Sequence, residues 1–173
     1  MKASIIIVPM PMRNIPIHDK IRTMTIREPG IKVQTKNENA YYFIEWSPLR
    51  LAERWDISTR VPSIAGIYEI YWMDDHNHLR LLSIGCTYYG GLRSELRRLT
   101  DPELTQDLAA KKILEDKEIW YRYAPTNSKN VMADVVWFFR SIYFPENPGV
   151  ESSGLYKNVH IKESEPNKLI WVP

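Results

Sequence analysis

Alternation of apolar and polar positions is clearest after residue 60. Residues 66–73 (GIYEIYWM) and 79–86 (LRLLSIGC) are two runs of strand-forming residues. A polar stretch, Asp74-Asp75-His76-Asn77-His78, lies between them, which predicts a hairpin. Gly90-Gly91 then breaks the chain. Leu92, Leu96 and Leu99 recur at helical spacing, which predicts a short helix. A second helix is expected over 102–117 and a third strand over 118–123 (EIWYRY). The 124–128 loop ends in a helix cap. The most apolar helix follows over 129–143, with Val131, Met132, Val135, Phe138, Phe139 and Ile142 on one stripe. Pro145 and the Pro148-Gly149 pair stop it.

The first 60 residues read less regularly. Short extended pieces are expected over 4–8, 23–27 and 31–35, and a strand over 40–46 (AYYFIEW). Ser47-Pro48 has the form of a helix cap and first turn, so a short helix over 49–55 is expected, followed by a linker over 56–63. The tail offers extended segments over 155–161 and 169–172. The expected organisation is an α+β domain over 61–173 and an N-terminal extended arm or small subdomain over 1–60. The domain would hold a small central antiparallel three-stranded sheet with flanking helices.

Composition narrows the classes. The chain has 173 residues, 44% of them hydrophobic and 25% charged, which is the balance of a folded globular protein. Its net charge of +2 excludes a histone-like or tail-like basic protein, but a local basic patch can sit on a neutral average. Aromatic residues at 12% argue against disorder. One cysteine, Cys86, excludes an intramolecular disulfide framework and a Cys-rich zinc site, and points to a reducing cytoplasm. Cys86 beside Gly85 reads as a small buried side chain. The apolar run over 5–8 is too short for a signal peptide and no run is long enough to span a bilayer, so no membrane association is expected.

Gly66-Ile67-Tyr68 on one strand and Ser83-Ile84-Gly85 closing the next resemble the core of the GIY-YIG nuclease family. The resemblance continues through an Arg-bearing helix, a third strand, an apolar helix and a Pro-x-Asn ending (Pro145, Asn147). It covers about residues 62–147. It implies a metal-dependent endonuclease cleaving DNA phosphodiesters. Such chemistry needs a base for water, a cation for the developing charge and a metal near the leaving oxygen. The resemblance assigns Tyr68 to water activation and Arg93, or its neighbour Arg97, to the scissile phosphate; counted from Leu92, Glu95 takes the arginine's place and Arg97 lies beside it. An acid on the late helix would hold Mg²⁺ or Mn²⁺.

Two positions depart from the family. Ser83 stands where the second triplet usually has Tyr, so it takes the second catalytic place. The 129–143 helix has no Glu, and Asp134 is its only acid and hence the expected metal ligand. A free Tyr hydroxyl titrates near pH 10, so Tyr68 would need a neighbouring cation to act as base, and Arg93 is the one expected. The alternative reading is a catalytically degenerate module of the same fold that binds nucleic acid or a protein partner. Arg93, Arg97 and Arg98 beside Tyr88 suit a nucleic-acid backbone with a stacking partner. A solvated arginine face explains the same three residues without a ligand.

Overall fold

The computed structural model describes residues 28–164. The extended pieces expected over 4–8, 23–27 and 169–172 lie outside the described residues. Two sheets and four helices form a mixed α+β fold. The strands are β1 (Gly30–Lys36), β2 (Asn39–Glu45), β3 (Arg50–Leu51), β4 (Gly66–Met73), β5 (Leu79–Thr87), β6 (Ile119–Pro125) and β7 (Asn158–Ser164). The helices are α1 (Arg54–Arg60), α2 (Gly91–Thr100), α3 (Leu108–Asp116) and α4 (Lys129–Tyr143).

The antiparallel sheet runs β3-β6-β4-β5, so the three expected strands are joined by one short edge strand. The second sheet runs β1-β2-β7, with β1 antiparallel and β7 parallel to β2. Residues on both sides of position 60 therefore share one architecture. Strict alternation in β2 buries Ala40, Tyr42 and Ile44. Together with Trp46 they pack with Met132, Val135, Val136 and Phe139 of α4 against Ile67, Ile84 and Ala124 on one face of the antiparallel sheet. The other face carries Tyr68, Ile70, Tyr121 and Tyr123 beneath Ile57 of α1, Leu92 and Leu96 of α2, and Leu114 of α3. Among the described residues no helix is long and apolar enough to cross a membrane.

Three expectations are corrected. The segment expected as a helix over 49–55 begins as β3, because Ser47 is drawn into pairing with β6: its N–H donates to Tyr123 O at 2.8 Å and its hydroxyl accepts the Tyr123 N–H at 3.0 Å. The helix starts later and occupies most of the expected linker. The helix expected over 102–117 is confined to α3, because Asp107 caps it by accepting the N–H groups of Ala109 and Ala110. Cys86 is exposed, on the edge strand β5. By contrast α4 spans the expected residues, with the Ser128 hydroxyl accepting the Val131 N–H as its cap.

Candidate functional site

The pairing of β4 with β5 sets Tyr68 opposite Gly85. A Cβ at position 85 would stand 2.5 Å from the Tyr68 hydroxyl, so the absent side chain is what lets the ring lie across β5. Gly66 is equally constrained. A Cβ there would meet Ala124 O at 2.7 Å and Leu92 Cδ1 at 2.8 Å, between β6 and α2. These glycines of the two triplets thus serve close packing.

The Tyr68 hydroxyl reaches α2, where it donates to Glu95 Oε1 across 3.5 Å. Arg98, one turn on, holds that carboxylate at both oxygens, Nε to Oε2 at 3.0 Å and Nη2 to Oε1 at 2.7 Å. Burial first, and the Glu95 charge second, push the Tyr68 hydroxyl well above its ordinary value against the weaker opposing pull of Arg98. In this arrangement the Tyr68 hydroxyl keeps its proton and donates a hydrogen bond to Glu95.

The other expected residues are distributed as follows. Arg93 is engaged by another group: its Nε donates to Val61 O at 2.7 Å, which ties α2 to the end of α1. Arg97 shares a cavity of about 340 Å³ with Arg54 of α1, floored by Ile57 and closed by Thr100, Asp101 and Glu103. Ser83 and Arg98 line a larger open cleft of about 720 Å³ between β5 and α3, with Thr105 and Gln106 on its rim. Tyr88 is exposed beside Tyr89, and Lys129 of α4 stands over both rings.

Asp134 is 1% exposed and sits on the opposite face of the sheet from Tyr68. One of its oxygens accepts the Tyr42 hydroxyl and the other the Ser153 N–H, each at 2.6 Å. Its carboxylate is therefore a bracket between α4, β2 and the loop before β7. These residues do not fit a Mg²⁺ site beside Tyr68. Among the described residues no group of three or more His, Cys, Asp or Glu is placed to hold a metal.

The structure thus brings together Tyr68, Arg98 and, at the cleft, Ser83. It places Asp134 on the far face and engages Arg93 with the end of α1. Glu95 is the partner that sequence reasoning did not assign to Tyr68; its signal was the i, i+3 spacing to Arg98 on an otherwise basic helix. A second arrangement was missed altogether. Glu69 of β4 and Arg122 of β6 are cross-strand neighbours inside the other face of the sheet. A charge at an inward position of each apolar strand was the available sign.

No curated protein and no solved structure matches the chain. A protein-family model described as an uncharacterised protein matches residues 30–173. That span begins at β1 and takes in every described element, so the chain belongs to this family.

Proposed function

We propose that the chain is a GIY-YIG-like module that binds nucleic acid, DNA foremost, through the seam between α1 and α2 and does not cleave it. The observation that carries this reading is the pairing state of the arginines. Among the described residues, Arg54 and Arg97 have no ion-pair partner, and they face one cavity. Arg60, held by Asp56 at 2.7 Å, and Arg93, held by Val61 O, continue the row. Arg93 meets the end of α1 and Arg97 meets its start, so the helices run antiparallel and the cations form a track. Phosphates spaced along a backbone satisfy such a track, and binding by it falls with salt.

The absence of cleavage is argued from Tyr68, whose proton is held by burial and by Glu95, and from Asp134, whose oxygens are occupied on the far face. The second reading, a metal-dependent nuclease, draws on the convergence of Tyr68, Glu95 and Arg98 on one face. Plasmid nicking with Mg²⁺ or Mn²⁺, against EDTA and against Tyr68→Phe, separates the two. The expected result is no metal-dependent nicking, together with salt-sensitive DNA binding that weakens in Arg54→Ala/Arg97→Ala. Metal-dependent nicking lost in Tyr68→Phe would establish the nuclease instead.

A further inference from the structure

We propose that the polymer held by this module is single-stranded, with bases stacked on Tyr88 and Tyr89 at one end of the α1–α2 track and on Trp55 at the other. The inference rests on the nucleic-acid reading above and adds the strandedness. Tyr89 is 88% exposed, Trp55 67% and Tyr88 41%. Tyr88 and Tyr89 immediately precede Gly90-Gly91, so they stand where α2 begins, five and four residues before Arg93. Trp55 follows Arg54, so it stands where α1 begins, one residue from the arginine that shares a cavity with Arg97. Large rings therefore flank the cations at both ends of a track of about 15 Å, the length of a ten-residue helix.

The tyrosine end is held in place. The two rings meet edge to face, with centroids 5.0 Å apart and planes at 84°. Lys129 Nζ lies 4.5 Å from the Tyr88 centroid and 4.8 Å from that of Tyr89, and donates to the Tyr89 hydroxyl at 2.9 Å. The ammonium fixes both rings and places a positive charge beside them. A phosphate next to a stacked base would find that charge.

The rings discriminate between strand states. In a duplex each base face is covered by its neighbours, and only edges and phosphates are offered to a protein. In a single strand every base has a free face, and each stacked base contributes about 1–3 kcal/mol. Arg93 and Arg97, about 6 Å apart along the helix axis, address phosphates in either state. The rings find a partner only in the single-stranded one.

The test is fluorescence anisotropy of the full chain with labelled oligo(dT), oligo(U) and a duplex of equal length at fixed salt. Tyr89→Ala, Trp55→Ala and Tyr89→Phe are compared with the parent, and melting curves establish that each is folded. The expected result is tighter binding of at least one single strand than of the duplex, about tenfold or more. Each alanine variant should lose about fivefold to a hundredfold, the range of one stacked base, and Tyr89→Phe should stay near the parent. Equal binding of single strand and duplex, with alanine variants unchanged, would overturn the single-strand inference and leave the cationic track standing. Binding to none of the three polymers would overturn both. Tighter binding of either oligo(dT) or oligo(U) satisfies the proposal.

Discussion

Glu69 and Arg122 form the most consequential pair in the structure. Glu69 is 0% exposed and the Arg122 side chain 13%. Arg122 Nε donates to Glu69 Oε2, and so does the Tyr71 hydroxyl, at 2.5 Å. The guanidinium lies over Trp46, 4.4 Å from its centroid, and reaches Glu163 of β7 at 3.2 Å. Glu69 Oε1 is buried and finds no hydrogen-bond partner among the described residues. Burial pushes the Glu69 carboxyl above its ordinary range, and Arg122 is the main force holding it down. Arg122→Ala would leave a buried acid with no cation and is expected to cost about 3–5 kcal/mol. Glu69→Gln removes the buried charge while Arg122 keeps Glu163, and is expected to cost clearly less. Urea denaturation of the two variants checks the order; equal losses would mean that leaving the buried Glu69 carboxylate without its cation adds no penalty of its own.

At the scale of elements, the β4–β5 hairpin depends on one carboxylate in its turn. Asp74 Oδ1 accepts the N–H groups of His76 and His78 at 2.9 and 2.8 Å, and Oδ2 takes Arg80 Nε at 2.9 Å. Asn77 adopts a φ of 60°, a conformation that Asn tolerates well. The backbone hydrogen bond from His78, foremost among these contacts, holds the Asp74 carboxyl well below its ordinary value. A group lowered on folding stabilises the fold above its unfolded value, near pH 3.9, and loses that contribution as pH falls through the folded value. Asp74→Ala is therefore expected to melt below the parent at pH 7, with the gap narrowing as pH drops under about 4. A gap that stays constant to strongly acidic pH would assign the turn to chain geometry and not to the charge.

The same elements show which signals are local. β4 and α4 were legible because their apolar period decides the burial of a whole segment. The polar hairpin turn was legible for the same reason. The helix expected at Ser47-Pro48 failed because a good local cap lost to pairing with β6 on a strand far along the chain. The site divided in the same way. Gly66, Tyr68 and Gly85 are fixed by strand register and were readable. Which side of α2 would meet α1 was not, and that side determines what Arg93 contacts. Asp134 is the extreme case, since its Tyr42 partner lies 92 positions away. Its place on α4 could be counted, but its occupancy could not.

At the scale of the whole molecule, both sheets draw on one core, and that bears on any division of the chain near residue 60. A fragment of residues 61–173 would lose Ala40, Tyr42, Ile44 and Trp46 from the core that includes α4. It would also lose β2, the neighbour of β7. Without Tyr42 the buried Asp134 keeps only the Ser153 N–H, and without Trp46 the Arg122 guanidinium loses the ring beneath it. Truncating one large buried side chain costs about 3–5 kcal/mol, whereas whole domains are stable by about 5–15 kcal/mol. Removing three large buried residues together with β1, β2, β3 and α1 exceeds that margin. The fragment is expected to show no cooperative thermal transition and to bind an apolar dye, while the full chain melts in one transition. A fragment with a cooperative melt and the dispersed amide spectrum of a folded protein would overturn this. It would also show that β4, β5 and β6 with α2, α3 and α4 are stable without the strands and the helix that precede them.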